Sequence, residues 1–211
     1  MSWETAAALA TALGTLVLAL ATFASVRSAN RSARVGERSL LAALRPLLVA
    51  SRPQDVEQKV GFVDDHFVHV PGGQDTAEAT DEAVYLTLSL RNAGPGLAVL
   101  HGWYVHAERL AGADETHRPL EHFRRLTRDI YIASADIGFW QGALREPESE
   151  HFREVHRAVS ERRNLTLDLL YGDVEGGQRV VSRFGLLPAG ESGWLAVNSR
   201  HWNIDRPDPR S

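Results

Sequence analysis

The chain has 211 residues, of which 44% are hydrophobic and 24% charged, with a net charge of −4. That length allows one domain of ordinary size beside a membrane anchor. The net negative charge provides no positive electrostatic field that would attract nucleic acid, so a nucleic-acid partner is not expected. The absence of cysteine excludes disulfides, Cys-ligated zinc, iron–sulfur clusters and thiol catalysis.

The first feature along the chain is an uncharged segment at residues 5–26, after a short tail at residues 1–4. At 1.5 Å per residue a helix of roughly 22 residues spans about 33 Å, enough to cross a hydrocarbon core of about 30 Å. The segment is therefore predicted to be a single transmembrane helix. A cleavable signal peptide is one alternative, but the positive n-region that it needs is missing. A soluble helix, the other alternative, would need burial on every face.

The flanks of this helix predict its orientation. Glu4 precedes it, and five arginines follow it within residues 27–45, the predicted helical stalk. Positive-inside bias then places the following domain in the cytoplasm and the helix in the inner (cytoplasmic) membrane. The spacing of four arginines by 4, 3 and 4 residues puts them on one helix face, where they would contact the lipid headgroups or form a solvated face. These membrane-interface residues are Arg27, Arg31, Arg34 and Arg38.

Small residues lie on the other side of the stalk, and they permit close helix packing and hence a homodimer. They are Ala29, Ala33, Gly36 and Ala43, with Leu40 between them.

Residues 46–205 are predicted to form a mainly β domain, an antiparallel β-sandwich of about seven or eight strands with one short helix. The clearest strand is 84–91, whose alternation predicts one buried and one solvated face. Residues 71–83 are predicted to be a polar loop and 206–211 a disordered tail. The other predicted elements are strands at 47–50, 62–70, 97–108, 165–171, 179–187 and 194–199, an ambiguous stretch with a bulge at 130–140, and a helix at 147–163.

The turn at residues 92–96 (Asn-Ala-Gly-Pro-Gly) joins two predicted core strands, and its asparagine and glycines are predicted to supply positive φ angles. Together with the apolar N-terminal helix, the arginine-rich stalk and the Arg-Pro-Leu start of the first strand, this turn resembles a group of uncharacterised bacterial single-pass membrane-anchored β-sandwich proteins of immunoglobulin-like type. The resemblance implies a fold and no activity.

No catalytic, cofactor-binding or metal-ligating residue is predicted, and no cofactor. Gly190-Glu-Ser-Gly lacks the second spacer of a nucleophile elbow. Solvated strand faces are expected for Asp129, Asp136, Asp168 and Asp173. Lys59 is the only lysine, so the many arginines fit a GC-rich genome. Histidine pairs occur at His66/His69, His101/His106, His117/His122 and His151/His156. The offset of five in the last three pairs places the two residues on opposite faces of a strand and far apart on a helix, which does not suit a shared metal.

The aromatic residues suggest a core with one exception. Trp103 and Trp194 are expected in the sandwich interior. Trp202 is predicted to lie past the last strand, as a contact for an unknown protein partner.

The sequence thus favours a non-enzymatic, membrane-anchored cytoplasmic protein-interaction module. One alternative is a membrane-tethered hydrolase with a cleft of sequence-distant polar residues, which a pocket lined by converging carboxylates or histidines would favour. Another is an exported ligand-binding sandwich domain.

Overall fold

The computed structural model describes residues 2–110 and 116–206, without the side chain of Ala6. The chain forms two units, residues 1–43 and 44–211. The first is one α-helix, α1 (Trp3–Ala43). It begins within the predicted tail, runs without a break through the predicted anchor and ends at Ala43, two residues before the predicted end of the stalk. The last five residues of the predicted disordered tail, 207–211, lie outside the described residues.

The second unit is mainly β, as predicted, with a large antiparallel sheet and one short α-helix. Its strands and helix are β1 (Leu48–Ala50), β2 (Gln58–Gly61), β3 (Phe67–Val70), β4 (Asp75–Ala79), β5 (Val84–Asn92), β6 (Ala98–His106), β7 (Arg124–Ile132), β8 (Ile137–Leu144), α2 (Glu150–Ser160), β9 (Leu165–Gly172), β10 (Val180–Ala189) and β11 (Gly193–Asn203).

The large sheet folds into the two layers of a sandwich. In one layer β5 pairs with β8 on one side and with β4 and β1 on the other. The second layer has the order β11-β10-β9-β6-β7. A single pair of residues, Asp75 of β4 and Trp194 of β11, connects the two layers by strand pairing. The opposite side is open, because β7 pairs only with β6 and β8 only with β5 among the described strands.

Leucines and aromatic rings from both layers fill the interior. Leu86 and Leu88 of β5 belong to the same buried cluster as the inner side chains of β9 and β10, and Trp140 and Trp194 are fully buried. Trp103 is also buried, which confirms the expectation for Trp103 and Trp194. Helix α2 begins at its N-cap Ser149, whose hydroxyl accepts a hydrogen bond from the backbone N–H of Phe152, and packs against β4, β5 and β9.

Three local predictions are wrong. Residues 71–83 are not a polar loop, because residues 75–79 form β4 along β5. The outer face of β5 is not solvated: Tyr85, Thr87 and Ser89 are buried, with Tyr85 packed against the β2–β3 hairpin. Residues 130–140 are not one bulged strand but the end of β7, a turn with Ala135 at φ 61°, and the start of β8.

The turn at residues 92–96 needs its glycines for another reason than positive φ. Gly94 and Gly96 are absent from the described positive-φ positions. A Cβ on Gly96 would lie 1.8 Å from the carbonyl oxygen of Leu44, and one on Gly94 would lie 2.5 Å from that of Arg45. Close approach of two backbones, rather than turn conformation, therefore selects glycine here.

Candidate functional site

Helix α1 is long and apolar enough to span a membrane. Every described side chain from residue 2 to residue 40 is exposed, including Leu16, Leu20 and Phe23. Its threonines satisfy their own hydroxyls: those of Thr15 and Thr22 donate to the backbone carbonyls four residues earlier, both at 2.8 Å. Such local bonds lower the cost of placing a hydroxyl in hydrocarbon.

The four arginines predicted at the membrane interface all lie on the C-terminal half of α1, and all are exposed. Their spacing along one uninterrupted helix keeps them on one face, as predicted. Contact of Arg27, Arg31, Arg34 and Arg38 with lipid stays a prediction, and so does a homodimer through the small residues opposite.

Trp202 does not lie past the last strand. It belongs to β11, opposite Val181 of β10, and only 6% of its surface is exposed. It packs with Phe123 and Val181, and the guanidinium groups of Arg183 and Arg200 lie 4.9 and 5.0 Å from its ring centre. The partner contact predicted for Trp202 therefore lacks the exposed ring that it requires.

Asp168 does not lie on a solvated strand face either. Its carboxylate is fully buried and accepts two hydrogen bonds from Arg183, at 2.7 and 2.8 Å, with His106 3.4 Å away. Burial alone would raise the pKa of Asp168, but the bonds from Arg183 and His106 hold it below its ordinary value. Because Asp168 and Arg183 face each other across β9 and β10, their equal distance from the hairpin turn was the sequence signal for this pair.

A polar cleft of about 330 Å³ lies between α2 and the end of β6, and we call it the α2 cleft. The rings of Tyr104 and His151 stack in it with centres 5.0 Å apart, and the Nε2 atom of His151 lies 2.7 Å from the carbonyl oxygen of Val105. The described residues that line the cleft are Tyr104, Val105, His106, Ala107, Glu108, Arg118, His151, Glu154, Arg157 and Arg163.

The α2 cleft has part of what hydrolysis requires. Two histidines and two carboxylates line it, and the buried Asp168 orients His106, an arrangement that can serve a general base. Its described lining contains no serine or threonine to act as a nucleophile. No group of three or more His, Asp or Glu residues in the described parts of the chain is placed to hold a metal ion.

A second concave region lies on the open side of the sandwich, and we call it the seam. Residues 124–128 of β7 form one wall and residues 141–146 of β8 and the following turn form the other. Trp103 and Gly142 line it, with Phe62 and Val63 beside them, and its volume is about 230 Å³. A Cβ on Gly142 would lie 2.8 Å from the ring of Trp103, so a larger residue there would displace that ring.

The backbone of β7 is irregular along the seam. Leu100 of β6 pairs with Ile130, and Gly102 pairs with Arg125, so residues 126–129 stand opposite the single residue His101. Such bulges leave residues outside the ladder and frequently lie beside binding sites. The seam therefore combines a bulged strand with the unpaired edge of β8.

Four arginines line the seam, two of which are paired with carboxylates. Arg124 donates to Glu146 at 2.9 Å, which lowers the pKa of Glu146, and Arg145 donates to Asp64 at 3.0 Å. Arg128 donates to the neutral amide oxygen of Gln141 at 2.6 Å and has no ion pair with a carboxylate of the described residues, so its charge is uncompensated there. Arg125 is exposed and has no hydrogen bond or ion pair to any described residue.

These arginines were not predicted as a site from the sequence, because the many arginines fit a GC-rich genome. The signal was their concentration: residues 44–211 contain 19 basic and 25 acidic residues, yet three arginines fall within residues 124–128. Comparison of the chain with known protein families, curated proteins and solved structures finds no match.

Proposed function

We propose that this chain is a membrane-anchored protein-interaction module. In this proposal residues 5–26 cross the inner (cytoplasmic) membrane and the β-sandwich lies in the cytoplasm. The observation that supports an interaction role is the seam, where two strand edges without ladder partners among the described residues lie beside two uncompensated arginines. Unpaired strand edges are templates for pairing with another chain.

The anchoring part of the proposal is supported by α1. A helix with exposed apolar residues on all sides is stable in hydrocarbon, where its backbone bonds are satisfied internally. Glu4 before the span and the arginines after it support the cytoplasmic orientation.

The orientation can be tested with single cysteines, since the native chain has none. We expect Ser2→Cys to react with a membrane-impermeant maleimide in intact spheroplasts. Glu175→Cys, an exposed turn position of the domain, should react only after lysis. Labelling of Glu175→Cys in intact spheroplasts would instead support the exported ligand-binding domain.

The interaction role can be tested with a photo-crosslinking amino acid at Thr127, which is exposed in the seam, and at the exposed Arg153 of α2 as the control. We expect a discrete protein adduct in cells from position 127 and none from position 153. The adduct should disappear when Arg125→Glu and Arg128→Glu are added. Equal adducts from both positions, or none, would contradict an interaction through the seam.

Hydrolysis is a second candidate function, and the α2 cleft is the observation that favours it. If the His106–Asp168 pair activates water, the purified full chain should hydrolyse a member of a chromogenic ester and phosphoester panel. His106→Asn should abolish that turnover. Turnover that survives this substitution, or none at all, would exclude the α2 cleft as the catalytic site.

A further inference from the structure

We infer that the seam binds an acidic, extended segment of a protein partner, which adds as a strand beside β8 while its carboxylates pair with Arg125 and Arg128. This inference rests on the proposed interaction function and names the chemistry of the partner. Its basis is the position of two uncompensated guanidinium groups directly beside unpaired strand edges.

The charge of the seam selects an acidic ligand. Residues 44–211 carry more acidic than basic residues overall, whereas the seam has four arginines against Glu146 in its lining and Asp64 beside it. Two guanidinium groups therefore remain for an incoming anion. Arginine presents a planar set of donors that matches a carboxylate, and such complementarity fixes both partner choice and register.

The shape of the seam selects an extended chain. Its volume of about 230 Å³ is below the range of about 300–1,000 Å³ typical of small-molecule sites, but side chains of a strand can enter it in alternation. The edge of β8 opposite β5 offers backbone donors and acceptors to an added strand. A lipid headgroup or a small anion would use the arginines and leave these backbone groups to water.

The arginines and the backbone are expected to act together. Arg128 is 2.6 Å from Gln141 of β8, so its guanidinium group lies beside the edge that would receive the strand. Alternate side chains of that strand would point toward the arginines, because successive residues of a strand face opposite sides. A segment with acidic residues at every second position fits both requirements.

Peptide binding to the full chain in phosphatidylcholine nanodiscs tests this inference, with fluorescence anisotropy as the readout. The probe is a labelled nine-residue peptide of alternating Glu and Val, compared with a Lys–Val peptide and with a Glu–Val peptide N-methylated at alternate residues. We expect only the unmodified acidic peptide to bind, and 0.5 M salt to weaken it by about tenfold because ion pairs at an exposed site are screened.

Charge-reversal variants distinguish binding through the seam arginines from nonspecific attraction by charges elsewhere on the domain. Arg125→Glu, and Arg125→Glu with Arg128→Glu, should each lower affinity by about tenfold or more, since a repulsive pair replaces an attractive one. The matched control, Arg109→Glu with Arg153→Glu, makes the same charge change at exposed positions outside the seam. The affinity of this control for the acidic peptide should stay within about twofold of that of the unmodified chain, because neither arginine lines the seam.

Several results would overturn the inference. Equal binding of the acidic and basic peptides would remove the charge requirement, and undiminished binding of the N-methylated peptide would remove the added strand. Loss of binding in the control variant would show that the peptide is attracted by the overall charge of the domain rather than by the arginines of the seam. Binding of phosphatidylglycerol vesicles through Arg125 and Arg128 without peptide binding would assign the seam to lipid. If the adduct from position 127 persists while the acidic peptide does not bind, the interaction function stands and only the partner chemistry falls.

Discussion

The side-chain amide of Asn92 forms four hydrogen bonds in the buried turn after β5. Its Oδ1 accepts from the backbone N–H groups of Leu47 at 3.1 Å and Gly94 at 2.9 Å, and its Nδ2 donates to the carbonyls of Gly96 at 2.7 Å and Ile132 at 3.0 Å. One side chain thus joins the start of β1, the turn and the end of β7.

Replacement of Asn92 by Ala should be strongly destabilising. It leaves four backbone groups without this partner, three of them in the buried residues Gly94, Gly96 and Ile132. Each buried group costs about 1–3 kcal/mol, so we expect a loss of at least about 3 kcal/mol. Urea unfolding of the full chain in detergent micelles, followed by tryptophan fluorescence, measures it. Asn164→Ala is the control, because the Asn164 side chain forms no hydrogen bond with the described residues; its loss should stay near 0.5 kcal/mol. Equal losses would contradict the assigned role.

Asp75 is a buried carboxyl group, and no cation of the described residues lies beside it. It accepts hydrogen bonds from the backbone N–H groups of Ser89, at 3.0 Å, and Ala196. Burial raises the pKa of Asp75 to about 7 and outweighs the lowering effect of these bonds. The group is therefore partly protonated near neutral pH in the folded chain.

This raised pKa predicts that Asp75 makes the fold less stable as pH rises. Between about pH 4 and pH 7 the folded chain holds a proton on Asp75 that the unfolded chain has released. The contribution of this proton to the free energy of unfolding is therefore complete below about pH 4 and is lost progressively as the pH rises to about 7. We expect the free energy of unfolding of Asp75→Asn, relative to that of the unmodified chain, to increase by at most about 4 kcal/mol between pH 4 and pH 8. Unfolding free energies at both pH values measure the gain.

Asp81→Asn provides the control for the loss of a negative charge, since Asp81 is exposed. Its stability should follow the unmodified chain across the same pH range. If Asp75→Asn also runs parallel to the unmodified chain, the carboxyl group of Asp75 does not titrate near neutrality.

At the scale of elements, the hairpin of β9 and β10 contains a buried ion pair. Asp168→Asn should destabilise the domain by about 3–5 kcal/mol, because it removes the buried carboxylate that pairs with the Arg183 guanidinium at 2.7 Å. The double variant Asp168→Leu with Arg183→Met should lose less than Asp168→Asn, because apolar side chains replace both members of this buried pair. Thermal and urea unfolding in micelles measure both; a double variant that is less stable than the single one would contradict this account.

Strand positions could be predicted where apolar and polar residues alternate within the strand itself. The leucines of β5 and β9 identify those strands because their inner faces meet the core. The outer face of β5 could not be predicted, since the β2–β3 hairpin that covers it comes from another part of the chain. Residues 75–79 were missed as a strand for a similar reason, because the ladder with β5 overrides their polar composition.

The candidate sites were harder to predict than the strands. The seam depends on β7 and β8 facing each other without a ladder, and no local pattern in either strand shows that. The burial of Trp202 likewise depends on Phe123, which is distant in sequence. The arginines of α1, by contrast, follow directly from their spacing along one helix.

At the scale of the whole molecule, membrane retention should depend on the apolar residues of α1. Leu16→Arg with Leu20→Arg replaces two favourable residues by ones that each cost about 2.5–3.5 kcal/mol in the centre of a span. We expect this variant to be extracted by alkaline carbonate, while the unmodified chain stays in the membrane pellet. Val35→Arg, beyond the predicted span, should remain in the pellet. Retention of the double variant would contradict a span at residues 5–26.

The single pairing between Asp75 and Trp194 has a kinetic consequence. The two residues are about 120 positions apart, so closing this contact requires ordering a long stretch of chain before any ladder energy is gained. The local hairpins, such as β10 with β11, have no such requirement. We therefore expect the two layers to form separately and to meet late, so that changes at this junction alter the unfolding rate and leave the folding rate nearly unchanged.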